Sequence, residues 1–138
     1  MQIADYDDVY QLWTSTTGMG LRSLDDSKAG ISKFIERNPN TCFIAQTQNE
    51  LIGVILCGND GRRGYIYHVA VSPTYRKSGI GKSLVGAALN ALKNEHITKV
   101  ALVVFRSNDL GNNFWSSIGF ENRDDLIYRN ISINECNV

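Results

Sequence analysis

The sequence predicts an α+β fold with a mixed, mostly antiparallel sheet and flanking helices, and two features of the chain carry this prediction. Between residues 41 and 71, β-rich segments follow one another with only short polar turns between them. From residue 65 to residue 105 the order is strand, glycine-containing turn, helix and strand. Successive hairpins pair antiparallel, whereas a crossover through a helix places its two strands parallel. Together the two patterns predict a mixed sheet.

Two helices are predicted before the first strand. Asp5 is a suitable N-cap, and the apolar positions after it follow helical spacing to about Thr16, where Gly18 then breaks the pattern. A second helix is expected to begin after Asp25, which is again a suitable cap. It ends before Pro39, because proline disfavours helical backbone in the residue that precedes it.

Turn residues bound the strands that follow. Thr41–Gln46 and Leu51–Cys57 flank a polar turn and are predicted to form a hairpin. A second turn signal at Gly58–Gly61 leads into Tyr65–Val71, whose β-branched and aromatic residues favour an extended chain. The valine-rich segment Lys99–Phe105 is expected to pair in parallel with that strand.

The remaining elements are predicted from the second half of the chain. Apolar positions at helical spacing indicate a helix from Gly79 to about Asn94, and Asp109–Ser117 is expected to form a short helix. Leu126–Ile133 alternates between apolar and polar residues, which predicts a final strand.

The turn that follows the strand at Val71 has the features of an anion site. Pro73 ends that strand because proline cannot donate to a ladder. The residues of the turn are Arg76, Lys77, Ser78, Gly79, Ile80, Gly81 and Lys82. Its glycines let neighbouring N–H groups point at one spot, which the positive end of the following helix also faces. The three cations around this spot complete a site of phosphate size.

Two other interpretations of this turn stay open. Residues 78–83 end in Gly-Lys-Ser, as a nucleotide-binding P-loop does, although that pattern needs glycine where Arg76 stands. A basic turn that only caps a helix is the second alternative. The combination of strand, turn and helix favours the anion site over both.

Composition narrows the class of protein. A length of 138 residues is suited to one domain covering residues 1–138, and 43% hydrophobic with 20% charged residues is typical of a soluble globular protein. The formal net charge of zero disfavours nucleic acid as the main partner. Cys42, Cys57 and Cys136 are widely spaced and odd in number, which fits free thiols. With no apolar stretch for a membrane and no signal peptide, we expect a cytoplasmic protein.

The stretch from Gly64 to Val85 resembles motif A of the GNAT superfamily of N-acetyltransferases. Arg76, Gly79 and Gly81 fit its pattern of Gln or Arg, two residues, Gly, one residue, then Gly or Ala. A Val-Ala-Val strand before the turn, and an Arg-Ser-Asn with a later Gly-Phe, extend the resemblance over nearly the whole chain. Within that superfamily the chain is similar to the ribosomal-protein alanine acetyltransferases. The resemblance implies two central parallel strands that splay apart and a first strand at the N-terminus. Only Met1–Ile3 are available for that strand, so we expect it to be short or absent.

The resemblance also implies a cosubstrate and a reaction. Acetyl-CoA would bind with its pyrophosphate in the turn from Arg76 to Gly81 and its pantetheine arm along the backbone of Val69 and Val71. A backbone N–H near Val69 would polarise the thioester carbonyl. The implied reaction is direct acetyl transfer to a primary amine, without a metal and without a covalent enzyme intermediate. A coenzyme A-binding or sensing domain with little or no catalysis is the alternative.

His68 is the candidate catalytic base. Many GNAT relatives use a glutamate on the motif strand or its parallel neighbour, but residues 65–71 and 99–105 contain no carboxylate. Histidine exchanges protons near neutral pH, and His68 lies next to the residues expected to hold the pantetheine arm. The alternatives are a histidine packed in the core, with a water chain or Asp60 as the base.

The general acid is also undefined. In similar acetyltransferases the general acid is often a tyrosine that lies seven positions after an asparagine, and that asparagine follows the fifth strand of the family's fold. Here the asparagine is Asn108 and the seventh position after it is Trp115. The indole of Trp115 cannot supply a proton. Tyr67 and Tyr128 are possible substitutes. Asn108 is expected to contact the arm of the cosubstrate, to cap a helix, or both. Trp115 is expected to lie beside the cosubstrate or within an aromatic core.

The acceptor is a small-molecule or peptide amine that the sequence does not identify. Exposed carboxylates at Asp25, Asp26, Asp124 and Asp125 could attract a cationic amine or merely solvate the surface. No nucleic-acid or membrane partner is expected. A homodimer is common among similar proteins, and no sequence feature specifies one here.

Overall fold

The computed structural model describes residues 1–138 and contains one four-stranded sheet and four α-helices. The strands are β1 (Phe43–Gln46), β2 (Leu51–Asn59), β3 (Gly64–Val71) and β4 (Val100–Leu102). The helices are α1 (Tyr6–Ser15), α2 (Lys28–Arg37), α3 (Ile80–Asn94) and α4 (Asp109–Ser117). Short 3-10 helices form at Ile3–Asp5 and Pro73–Tyr75.

The sheet has the predicted mixed topology. Its strand order is β1-β2-β3-β4, with β1, β2 and β3 antiparallel and β3 parallel to β4 across the α3 crossover. The parallel pair is short, since only Gly64–Ile66 of β3 pairs with β4. The rest of β3 has no strand partner on that side. The predicted α+β fold class is therefore confirmed.

Helices cover both faces of the sheet. On one face, α1 and α2 bury side chains against β2; on the other, α3 packs against β2 and β3. The residues of the first layer include Val9, Trp13, Ile31, Val54 and Leu56, and those of the second include Ile55, Ile66, Leu84, Val85 and Leu92. Burying an aliphatic side chain of this size contributes about 1.5–3 kcal/mol, so these two layers hold β3 firmly in place.

The predicted strand at Leu126–Ile133 is wrong. No strand forms there, and Ile127, Ile131 and Ile133 are exposed. The segment has the alternating pattern of a strand, but β4 is only three residues long and offers little backbone for a further strand to pair with. Backbone and side chains of the last residues instead bond to the Ser23–Asp25 segment, with Asn137 Oδ1 accepting from the Leu24 N–H at 2.9 Å.

Other boundaries differ by smaller amounts. Ser27, not Asp25, caps α2, since its hydroxyl accepts a hydrogen bond from the Gly30 N–H at 3.1 Å. The strand expected over Lys99–Phe105 is limited to β4, because the chain diverges from β3 after Leu102. The N-terminal residues form a 3-10 helix in place of a first strand. No helix has both the length and the apolar character to cross a membrane.

Candidate active site

A cavity of about 320 Å³ lies where β3 and β4 diverge. Its walls are formed by Ile66–Val69 of β3, by the chain from Leu102 to Phe105, and by the loop Gly18–Gly20 after α1. Asn108 and Trp115 close the remaining side. The ionisable side chains that line this cavity are His68 and Tyr67. It is therefore a mostly apolar space with few polar groups, the usual character of a small-molecule site.

A β-bulge determines which way His68 points. In the β2-β3 register, Cys57 pairs with Ile66 and Leu56 pairs with His68, so Tyr67 is an extra residue. The side chains of a regular strand alternate between faces, and Ile66 lies in the layer against α3. The extra residue shifts this alternation and turns His68 towards α1 and α2. The bulge thus supplies a histidine to the face where the cavity meets the first helix.

His68 is bonded to a buried carboxylate. Its Nε2 lies 2.7 Å from Oδ1 of Asp26, and the two side chains are only 12% and 7% exposed. The ring of Trp13, which is wholly buried, packs against the imidazole at 5.0 Å between ring centroids. These contacts fix the imidazole plane, and Nδ1 forms no hydrogen bond within the protein.

The turn before α2 holds Asp26 in position. Its Oδ2 accepts the Arg22 N–H at 2.6 Å, and its carbonyl oxygen accepts the Tyr6 hydroxyl at 2.8 Å. A carboxylate accepts hydrogen bonds, so the contact fits an Nε2–H of His68 that donates to Oδ1, and Nδ1 is the ring nitrogen that Asp26 leaves free. The expectation that Asp26 is an exposed carboxylate is wrong. No local sequence signal pairs it with a histidine 42 positions away.

The turn before α3 presents free backbone donors. None of the N–H groups from Lys77 to Lys82 donates to the preceding turn or to a side chain. Lys77 and Gly79 have positive φ values of 62° and 85°, and this alternation of backbone conformation lets successive N–H groups converge. A Cβ on Gly81 would lie 3.3 Å from the Phe114 ring, so the helix start packs closely on α4. Such an arrangement suits an anion such as a pyrophosphate.

The side chains of this turn take different directions from one another. Arg76 Nε donates to the Val71 carbonyl oxygen at 3.2 Å, which places part of its guanidinium against the end of β3. The Ser78 hydroxyl donates to the Tyr75 carbonyl oxygen. Lys77 and Lys82 are exposed and form no ion pair, while Ile80 packs on the α3 side of the sheet. The backbone, more than the side chains, defines this site.

Three of the four residues predicted to flank the cosubstrate arm line the cavity, namely Val69, Asn108 and Trp115. Val71, the fourth, lies farther along β3 towards the turn. Asn108 caps α4, accepting the Gly111 N–H at 2.9 Å, and also faces the cavity. Trp115 forms part of the wall while its ring contacts Phe114 and Phe120, each at 5.0 Å between centroids.

The two tyrosines considered as proton donors are placed differently. Tyr67 lines the cavity, whereas Tyr128 is exposed outside it. Burial is the main cause that raises the pKa of Tyr67 above 10.0, and nearby negative groups act in the same direction. Tyr67 therefore stays protonated at neutral pH. Asp60, considered as a base, lies on the β2-β3 turn outside the cavity, and His96 is an exposed connector residue.

Comparison with known proteins places this geometry in context. Residues 6–120 match the family model for the Acetyltransferase (GNAT) family. The chain is 28% identical over 123 residues to Acetyltransferase SG1711 of Sodalis glossinidius (strain morsitans), covering 89% of this chain and 85% of that protein.

Solved structures share the fold. Ard1 from Thermoplasma volcanium superposes with a TM-score of 0.76 at 20% identity, covering 86% of this chain and 78% of its own. The PaiA N-acetyltransferase from Thermoplasma acidophilum, solved in complex with coenzyme A, has a TM-score of 0.76 at 23% identity, covering 90% and 88%.

Proposed function

The chain belongs to the GNAT family of acetyltransferases, and we propose that it transfers the acetyl group of acetyl-CoA directly to a primary amine, with His68 as general base. One observation carries this proposal. The cavity at the divergence of β3 and β4 contains a histidine that is oriented by a buried carboxylate and keeps one nitrogen free. This is the arrangement of a side chain that can accept a proton from a substrate held beside it.

The residues present fit acetyl-CoA. The unbonded N–H groups from Lys77 to Lys82 would hold the pyrophosphate, with Arg76 at the edge of the turn. The unpaired side of β3 from Tyr67 to Val71 would bond to the pantetheine amides, as a further strand would. Asn108 and Trp115 would flank the end of the arm. Bound acetyl-CoA supplies an acetyl group activated as a thioester.

His68 and Tyr67 divide the proton transfers between them. The neutral amine nitrogen forms a bond to the acetyl carbon, and the bond between that carbon and the sulfur breaks. The proton lost by the amine goes to Nδ1 of His68, and Asp26 stabilises the resulting imidazolium because it already accepts from Nε2. The departing thiolate takes a proton from the Tyr67 hydroxyl. The products are an amide and free coenzyme A, and solvent then restores both side chains.

A coenzyme A-binding or sensing domain is the second candidate. It is favoured by Trp115, which lies in the cavity wall where similar enzymes carry a tyrosine, and by the absence of a carboxylate from the cavity lining. In that case His68 and Asp26 would form a structural pair only.

Acetyl transfer to n-butylamine separates these two candidates. We expect wild-type protein to form N-butylacetamide, detectable by mass spectrometry, and His68→Gln to lower kcat by about 10²–10⁴-fold. Glutamine keeps a donor for Asp26 but cannot accept a proton. His96→Gln is the matched control. His96 is exposed and lies outside the cavity, so this substitution should leave kcat unchanged. Acetyl-CoA binding without product, or full activity of His68→Gln, would contradict the proposed catalysis.

The finer expectations about partners remain predictions. A cytoplasmic location, a homodimer, and the absence of nucleic-acid and membrane partners follow from the sequence and the family alone. Size-exclusion chromatography with light scattering tests the oligomeric state directly.

A further inference from the structure

The last segment of the chain is bonded to the rest of the protein at one place. Residues 121–138 form no helix or strand, and all of them are exposed except Asn137. The hydrogen bonds that join this segment to the rest of the chain all come from residues 136–138. They end on the turn from Arg22 to Ser27, which lies more than 100 positions earlier. This turn is the one that carries Asp26.

Asn137 uses both ends of its side-chain amide on the turn. Its Oδ1 accepts the Leu24 N–H at 2.9 Å and the Asp25 N–H at 3.2 Å, and its Nδ2 donates to Oδ2 of Asp25 at 2.7 Å. The Val138 main-chain oxygen accepts the Ser23 N–H at 2.7 Å. Three successive backbone donors of the turn therefore have their acceptors in residues 137 and 138, and such donors need an acceptor to hold one conformation.

The same turn positions the carboxylate that contacts His68. Asp26 is its only buried residue. The Asp26 N–H donates to the Arg22 carbonyl oxygen at 3.0 Å, and the Arg22 N–H donates back to Oδ2 of Asp26 at 2.6 Å, so the two residues move together. The Tyr6 hydroxyl holds the turn from the core side, and Asn137 holds it from the solvent side. A shift of the outer side would therefore carry the Asp26 carboxylate with it.

We propose that Asn137 is a positioning residue for the His68–Asp26 pair: it fixes the outer side of the turn, which keeps Oδ1 of Asp26 in contact with Nε2 of His68. Where it concerns the reaction, this inference rests on the proposed function. Groups outside a site that lock the side chains within it affect the rate, because a displacement of about 1 Å at the reacting groups lowers it strongly. Asn137 touches only the supporting turn, yet its loss should change kcat.

The tautomer of His68 reports this positioning without turnover. The protein contains two histidines, His68 and His96, so NMR can resolve their ring nitrogens. At about pH 8.5, where an ordinary imidazole is neutral, we expect the wild type to carry the His68 proton on Nε2, facing Asp26. Asn137→Ala should convert this state to a mixture of the two tautomers. Asn130→Ala is the matched control, since Asn130 is an exposed residue of the same segment, and it should change nothing.

An exchange of two side chains provides a rescue. Asn137→Asp keeps the acceptor for the two N–H groups but places a carboxylate oxygen against Oδ2 of Asp25, so it should disturb the turn as Asn137→Ala does. The double variant Asp25→Asn with Asn137→Asp restores one donor and one acceptor, in reversed order, and should return the wild-type tautomer. With n-butylamine, kcat should fall by about fivefold to tenfold in each single variant at Asn137 and recover in the double variant, with acetyl-CoA affinity unchanged.

The outcomes separate this inference from the proposed function. A wild-type tautomer in both single variants at Asn137 would overturn the inference, whatever the rates, and so would an altered tautomer with unchanged kcat. An altered tautomer that the double variant restores, in a protein that acetylates no amine, would support the positioning and contradict the proposed function. Circular dichroism checks that each variant is folded. If Asn137→Ala does not fold, the comparison of Asn137→Asp with the double variant decides the question.

Discussion

The turn before α3 and the cavity wall around His68 lie along the same strand-and-turn unit, yet they are built in opposite ways. In the turn, backbone N–H groups from Lys77 to Lys82 provide the donors, and the basic side chains are exposed. At the cavity, a buried side-chain pair, His68 and Asp26, provides the chemistry. The two sites should therefore be sensitive to different substitutions. Changes of backbone conformation should affect the turn, and changes of side chain should affect the cavity.

The largest effect within this comparison is expected from Asp26→Ala. It removes the acceptor for Nε2 of His68 and for the Arg22 N–H, and leaving such buried donors unpaired costs about 1–3 kcal/mol each. We expect a lower midpoint in urea unfolding together with a large loss of kcat. Asp26→Asn keeps one of the two acceptor oxygens and should restore part of the stability, but not the rate, because a neutral amide stabilises imidazolium poorly.

A comparison of rate with stability distinguishes this positioning role from a purely structural one. If Asp26 orients His68, Asp26→Asn should lower kcat with an amine acceptor by more than its loss of folded protein explains. Activity that follows the folded fraction alone would show that the pair acts only in stability.

A smaller effect is expected from Tyr67→Phe. Loss of the hydroxyl should lower kcat by about tenfold with little change in acetyl-CoA affinity, because thiolate can also take a proton from water. Burial raises the pKa of Tyr67 above 10.0, so the hydroxyl still donates where free tyrosine begins to ionise. Any alkaline fall in rate that belongs to Tyr67 should therefore occur above pH 10. Steady-state kinetics of the purified variant check both points.

The smallest effect is expected from the double variant Arg76→Ala and Lys77→Ala. Both side chains are exposed, and Arg76 is directed partly at the Val71 carbonyl oxygen. Exposed charges contribute modestly and are screened by salt, so acetyl-CoA affinity should fall by about threefold to tenfold at low ionic strength and less at 0.5 M salt. Complete loss of binding would mean that side chains, not the backbone, hold the phosphates.

Sequence reasoning succeeded where the determinants are local. The turn, its glycines and the start of α3 lie within a few residues of each other, and the strands before them are bounded by clear turn signals. The His68 site depends instead on long-range contacts. Asp26 lies in a polar turn whose sequence predicts exposed surface, and its contact with His68 is not predicted by any nearby residue. The bulge at Tyr67 lies in a strand rich in β-branched and aromatic residues, where no turn residue indicates it.

The final segment shows the opposite error. Leu126–Ile133 has the alternation of a strand, but a strand needs a partner with free backbone groups. The short β4 does not provide one, and the exposed side chains of this segment show that no second layer covers it. Local pattern alone therefore identifies a segment suited to a strand without showing that it forms one.

Calorimetric titration with acetyl-CoA tests the central claim that the backbone of the turn holds the cosubstrate. Gly79→Val places a β-branched residue at φ 85°, which it cannot adopt without strain of about 1–3 kcal/mol, so the N–H groups must shift. Gly86→Val in α3 is the control, because a Cβ there also meets open space but at ordinary helical φ. We predict that the wild type and Gly86→Val bind acetyl-CoA and that Gly79→Val binds at least about tenfold more weakly. No binding by the wild type, or equal binding by Gly79→Val, would contradict the account.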